Sequence, residues 1–256
     1  MATETTQLHP LATGETVEIT RRDGRGHKYL VDGVNDGKPM PSVTGMIGHV
    51  ESGVFGIASG WATKQIRLAG GDLDAPKRVG DKAVADGNDI HDAIERYIKT
   101  GEVTEENPGF ISWLKTVGND YEWIAGEAYL YHPILQYGGT LDAISTTSYF
   151  QRYAFNPPET LWDWKTKDPE TYWKYGGSLK DHAQVASYVM ALREMGSAYA
   201  PAFANIAYIM RDGSGTDVIP VNLEVGRKLF SLSRDLYLTT ALFKDNTKPG
   251  TQQEGN

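Results

Sequence analysis

Hydrophobic positions between Val84 and about Lys99 fall at Ile90, Ala93, Ile94, Tyr97 and Ile98, the three-and-four spacing that gathers apolar side chains on one helix face. Phe110 to Ile124 carries Phe110, Trp113, Leu114 and Val117 at the same spacing and predicts a second helix. Then the period changes. Glu127 to Tyr131, Tyr137 to Ser145 and Thr160 to Thr166 are aromatic and β-branched and are bounded by Pro, Gly or Asn. They predict three strands, close enough in sequence for an antiparallel meander. Helical spacing returns over Leu179 to Met195, with Ala183, Ala186, Val189, Met190 and Leu192 in the apolar positions. Ala204 to Met210 and Val218 to Leu223 read as strands, and Glu224 to Leu242 as a last amphipathic helix. Upstream, a short strand at His27 to Val31 leads to Pro41-Ser42-Val43-Thr44, where a hydroxyl suits a helix cap. Gly-rich punctuation up to Pro76 predicts short helices separated by turns.

This order of elements indicates a mixed α/β fold, a central mixed sheet flanked by helices. Residues 1–11 are polar without periodicity and residues 245–256 are rich in Pro, Gly and Gln, so both ends are expected to be flexible tails. No internal repeat or low-complexity linker divides 12–244, which reads as a single domain. It comprises a helical amino-terminal part (12–83), a core (84–212), and a closing strand and helix (213–244).

Composition removes several classes. Forty per cent hydrophobic residues with 23% charged lies far from the regime that keeps chains unfolded. No stretch approaches the roughly 18 uncharged apolar residues of a membrane span, and the start lacks a basic-then-apolar leader, so a soluble, cytoplasmic protein is expected. With no cysteine, disulfides, thiol nucleophiles, cysteine zinc sites and cysteine-held iron–sulfur clusters are excluded, and any metal must sit on oxygen or imidazole. Net charge is −8, so a nucleic-acid role requires a local basic groove or a metal.

Candidate chemistry begins with Asp163-Trp164-Lys165. On a strand, Asp163 and Lys165 project from one face and Trp162 and Trp164 from the other, toward a core. Asp142, on the preceding strand, comes opposite Asp163 if the hairpin pairs in a suitable register. Two converging carboxylates repel, and a hard divalent ion is the economical way to keep both ionised. Lys165 beside such an ion, its pKa lowered by the metal, would hold or deprotonate a water or stabilise a phosphorane-like transition state. On its own the triplet reads as a surface ion pair on a solvated strand face. His91, in Gly87-Asn-Asp-Ile-His91, is either a further ligand or an ordinary surface histidine. Gln184 and Tyr188 share a helix face and read on their own as its polar edge.

The ordered set Gly87-x-x-x-His91, Gly139-x-x-Asp142, Asp163-x-Lys165-Thr166 and Gln184-x-x-x-Tyr188 resembles the RecB-type branch of the PD-(D/E)XK nucleases. Tyr29-Leu-Val-Asp-Gly33 with Pro41-Ser42-Val43-Thr44 further resembles the amino-terminal part of mitochondrial genome-maintenance exonucleases and their phage-borne relatives, so the likeness spans about 27 to 210. The resemblance implies a restriction-endonuclease-like core in which Asp142 and Asp163 bind Mg²⁺ or Mn²⁺, His91 completes the coordination and the Trp164 carbonyl adds a ligand. It implies that Lys165 positions and activates the attacking water and that Gln184 and Tyr188 steady the site or contact the DNA backbone. Glu127 matches an acidic position of many relatives and would hold a second ion or a metal-bound water; a solvated strand end explains it equally well. Leu141 replaces the Pro of the superfamily's name, and the absence of cysteine excludes the iron–sulfur subgroup.

The activity so implied is metal-dependent DNA exonuclease chemistry in phage or prophage recombination, repair or replication, in a host cytoplasm if phage-encoded. The partners implied are linear or single-stranded DNA ends and a recombination or replication protein. A structure-selective or single-strand endonuclease, or a non-catalytic nucleic-acid-binding protein on the same scaffold, remain as alternatives. Lys167, Lys174, Lys180, Lys64, Arg67, Lys77 and Arg78 are candidate phosphate contacts or a solvated surface. Tyr172, Trp173 and Tyr175, in a Gly-bounded loop, are candidates for base stacking.

Overall fold

A computed structural model of the chain describes residues 3–24, 26–50, 58–103, 106–147 and 158–246. At its centre five strands lie in the order β11-β10-β9-β8-β5: β5 (Tyr121–Ala125), β8 (Ala143–Thr147), β9 (Glu159–Lys167), β10 (Phe203–Met210) and β11 (Thr216–Pro220). Only β9 and β10 run parallel in this sheet, because α5 (Pro169–Tyr175) and α6 (Leu179–Glu194) supply the crossover that parallel neighbours require. The fold is therefore mixed α/β, with a mixed sheet covered by helices on both faces.

Alternation along β9 divides the core. Trp162 and Trp164 turn toward α3 (Ala75–Thr100) and α4 (Pro108–Trp113), joining Ile90, Ile94, Phe110 and Trp113 in one buried cluster. Trp164 meets Trp113 edge-on at 5.4 Å between ring centroids. Leu161 and Asp163 turn the other way, toward α6 and α7 (Leu223–Asn246), where Ile144, Ile206, Val185, Val189 and Phe230 pack. Emptying either side, as in Trp162→Ala, costs about 3–5 kcal/mol by the cavity rule.

Several sequence expectations need correction. Where it is described, the expected tail over 1–11 is a strand: Glu4–Pro10 is β1, paired antiparallel with β2 (Thr16–Arg22) along its whole length. With β3 (Lys28–Val31) and β4 (Met40–Pro41) it makes a four-stranded sheet, so the amino-terminal part opens on strands and turns helical only at α1 (Val43–His49) and α2 (Ala58–Leu68). What fastens β1 is a buried histidine: the two ring nitrogens of His9 lie 2.8 Å from the Tyr129 carbonyl and 2.8 Å from Ser197 Oγ. Ser42 does cap α1, its hydroxyl accepting from the Gly45 N–H at 3.0 Å.

Helix α3 begins at Ala75 rather than Val84, with Pro76 in its first turn, where a missing N–H costs nothing. The helix expected over Phe110–Ile124 ends early: α4 gives way to a wide π turn at Leu114–Gly118, and Tyr121 already starts β5. Asn119 and Asp120 break the period there, and Tyr121 and Trp123 pack on Trp162 as strand residues. Nor is Tyr137–Ser145 one strand of a meander. β6 (Ala128–His132) and β7 (Tyr137–Leu141) form a separate hairpin, and the chain passes into β8 of the central sheet at Asp142. Helix α7 continues to Asn246; residues 247–256 of the second expected tail lie outside those described.

Candidate active site

The break at Asp142 positions the site. Antiparallel pairing of β8 with β9 sets Ala143 against Trp162, so Asp142, one residue earlier, comes level with Asp163, one residue later. Asp142 Oδ2 accepts the Trp164 backbone N–H at 2.6 Å, which pins the carboxylate to β9. Lys165 Nζ lies 2.5 Å from Asp163 Oδ2, an ion pair in which the carboxylate is buried. Its other oxygen accepts from Gln184 Nε2 at 3.2 Å, and Gln184 Nε2 also reaches the Tyr188 hydroxyl at 2.8 Å.

Two glycines explain how the neighbouring elements come so close. A Cβ at Gly87 would stand 2.8 Å from Thr166 Oγ1, so α3 crosses β9 there, and His91 follows one turn later over the cleft. A Cβ at Gly139 would stand 2.4 Å from Tyr188 Cε1, so the β6–β7 hairpin lies against α6 only because that position is bare. His91 Nδ1 is 4.0 Å from Asp142 Oδ1.

Together these elements enclose a cleft of about 810 Å³ lined by His91, Glu127, Asp142, Trp164 and Lys165 among others. Asp163 lies buried beneath Lys165, Gln184 borders a second groove that Lys165 also lines, and Tyr188 is buried. Tyr188 therefore has no contact with solvent through which to meet a DNA backbone; it supports Gln184. Glu127 is engaged by Arg21 of β2, whose Nη1 donates to it at 3.0 Å.

Sequence reading missed Arg21, Asp92, Glu95 and Arg211, which also line the cleft, and Asp181, buried under Lys167 at 3.5 Å. Asp92 and Glu95 share the His91 helix at one-turn spacing and were legible in principle; Arg21 arrives from a segment with no periodic signal. Among the basic candidates, Lys167 and Lys180 border the second groove with Lys165. Lys77 and Arg78 are instead paired with Asp81 and Asp72. Tyr172, Trp173 and Tyr175 belong to the short helix α5, not to a loop: Asp168 caps it and Gly176 ends it.

Electrostatics follow from burial. Desolvation pushes the Asp142 and Asp163 carboxyls above the ordinary carboxylate range, the pull of Lys165 opposing it and, for Asp163, the Asp142 charge adding to it. Burial alone would lower the Lys165 ammonium, but Asp163, Asp142 and Asp181 outweigh it and raise its pKa. His91 is lowered, first by burial and then by Lys165, so it is a neutral imidazole near pH 7.

Among the described residues no three His, Asp or Glu side chains converge as a ready-made metal cage. Mg²⁺ does not need one, since it is ordinarily held by one or two carboxylates and keeps several waters. The donor chemistry fits: the Asp142 carboxylate and the neutral His91 imidazole line one cleft, and the Asp163 carboxylate lies level with Asp142, its Oδ2 held by Lys165.

No family model matches the chain, and no curated protein matches it in sequence. Among solved structures, the crystal structure of SSO0001 is similar at 14% identity and a TM-score of 0.34, over 76% of this chain and 75% of that one. A likeness of that degree establishes neither a shared fold nor a shared function. Among the described residues no helix is long and apolar enough to cross a membrane.

Proposed function

We propose that the protein is a metal-dependent DNA nuclease, acting as an exonuclease, with a restriction-endonuclease-like core of the RecB type. The observation that carries this reading is Asp142 level with Asp163 on the neighbouring strand and Lys165 two residues on, with Asp142 and Lys165 lining one cleft and Asp163 buried behind Lys165. Asp142 and Asp163 would hold Mg²⁺ or Mn²⁺, with His91 and the Trp164 carbonyl as further donors and Glu127 at the rim. The ion, when bound, neutralises charge on the phosphoryl oxygens and lowers the pKa of water.

The chain's own residues do the rest. Lys165, kept as an ammonium by three carboxylates, donates hydrogen bonds to the attacking water and offsets charge that grows on the phosphoryl group. A cation of raised pKa is a poor base, so its role is positioning and electrostatic stabilisation. Gln184, braced by Tyr188, fixes the Asp163 carboxylate through Oδ1. Arg21 and Arg211 line the same cleft, but Arg21 is paired with Glu127 and Asp23 and the lining also holds Asp92 and Glu95, so attraction of phosphate within this acidic protein falls to the bound ion together with Lys165 and Arg211.

The test is Mg²⁺-dependent degradation of linear DNA by purified Asp142→Asn and Lys165→Ala. Loss of stabilisation at a charged transition state is worth about 10²–10³ in rate per group, so each variant is expected to lose at least that while keeping its circular dichroism. Wild-type rates in either variant would refute the assignment. Closed circular single-stranded DNA separates the modes, since a strict exonuclease leaves it intact.

A further inference from the structure

Two aspartates are almost wholly buried among the described residues, Asp163 at 1% exposure and Asp181 at 1%. Asp163 is one of the proposed metal ligands; Asp181 is not. A buried carboxylate is costly unless cations or hydrogen-bond donors compensate it. Asp181 stands in the first turn of α6, which Ser178 caps, and Gln184, one turn further on, reaches Asp163 Oδ1 of β9. Asp181 Oδ2 accepts from the Tyr208 hydroxyl at 3.1 Å, and Lys167 Nζ approaches the same oxygen only to 3.5 Å. A carboxylate has room for more donors than one hydroxyl and one loosely held ammonium.

Strand alternation brings a further donor to the same place. Asp163, Lys165 and Lys167 alternate onto one side of β9, and Lys165 is the cross-strand partner of Tyr208, the residue whose hydroxyl holds Asp181. Lys165, Lys167, Asp181 and Gln184 wall one groove of about 310 Å³. Lys165 thus shares a groove with Asp181 while its ammonium is paired to Asp163, Nζ to Oδ2 at 2.5 Å. The Asp181 charge is also among those that raise the Lys165 pKa.

This pairing conflicts with metal binding. An oxygen held by an ammonium at that distance cannot ligate a divalent ion unless the ammonium moves, and the ion repels the ammonium in any case. An ammonium displaced within a buried site needs another anion. We propose that Asp181 is a positioning residue for Lys165: it takes over the ammonium when Asp163 takes a divalent cation, so that Lys165 stays compensated and at the cleft in both states. The inference rests on the metal reading of Asp142 and Asp163 and adds to it the exchange that makes Asp163 free to ligate.

Calorimetric titration with Mn²⁺ of wild type, Asp181→Asn, Lys165→Met and the double variant, at one mildly alkaline pH, forms the cycle that tests it. Asparagine keeps an acceptor for Tyr208 and removes the charge. Asp181→Asn is expected to weaken Mn²⁺ binding at least about tenfold, the usual cost of losing a group that supports a metal ligand. In the Lys165→Met background the same change is expected to cost less than about twofold, because no ammonium then needs a second partner. Asp181→Glu, which keeps the charge, is expected to bind Mn²⁺ within about threefold of wild type. A through-space pull of Asp181 on the ion would act by the same factor with or without Lys165. Equal losses in the two backgrounds, or no loss in Asp181→Asn, therefore overturn the inference and leave the metal reading standing. Absence of Mn²⁺ binding by wild type overturns the metal reading, and the exchange falls with it.

Discussion

Asp142 combines two demands that rarely fall on one residue: it ends one hairpin and begins a strand of the central sheet, and its carboxylate is tied to the Trp164 N–H. Burial raises its pKa, so the folded protein holds that proton to higher pH than the unfolded chain does. The sign follows from linkage: the stabilisation is complete at low pH and is lost as pH rises through the folded-state value. In chelator, Asp142→Asn is therefore expected to gain thermal stability relative to wild type as pH goes from 5 to 8, because the amide keeps an acceptor for Trp164 N–H without a charge to desolvate. Melting temperatures across that range check it; a difference that moves the other way would show that the carboxylate is stabilised, not strained, in the folded state. At this scale the sequence was informative. Asp142, Asp163, Lys165 and His91 were readable because strand alternation and helix spacing fix which side chains share a face. Tyr188 was readable as a neighbour of Gln184, but its depth of burial depends on Gly139, a contact between elements distant in sequence.

Among elements, periodic segments declared themselves and aperiodic ones did not. Helix α6 and strands β9 and β10 carry strong apolar repeats and were read close to their limits, as was the carboxyl-terminal end of α3. The division of Tyr137–Ser145 into two strands of different sheets has no local signal, since Asp142 is an ordinary strand-end residue until tertiary pairing breaks the ladder. Strand β1 was hidden because both its faces are largely polar; only His9 is buried, and its partners Tyr129 and Ser197 lie far along the chain. Deleting residues 3–12 distinguishes strand from tail. Losing the β1 ladder and a buried histidine with two hydrogen bonds is expected to lower the melting temperature by about 5–10 °C, a few kcal/mol in a protein of this size. A truncated protein that melts with wild type would return this segment to a tail.

For the whole molecule, the fold's contribution is convergence. The four-stranded amino-terminal sheet sends Arg21 to Glu127, α3 sends His91 over Asp142, and the central sheet sets Asp142 level with Asp163, so one cleft draws on segments from residue 21 to residue 211. A net charge of −8 keeps the molecule from attracting nucleic acid at long range, and the cleft itself is lined by Asp92, Glu95, Glu127 and Asp142 as well as Arg21, Lys165 and Arg211. The proposed chemistry requires a hard cation between Asp142 and Asp163. Calorimetric titration of the purified protein with Mn²⁺ measures this directly. Saturable binding in wild type that disappears in both Asp142→Asn and Asp163→Asn is the expected result; no binding by wild type, or binding that survives in both variants, would contradict it.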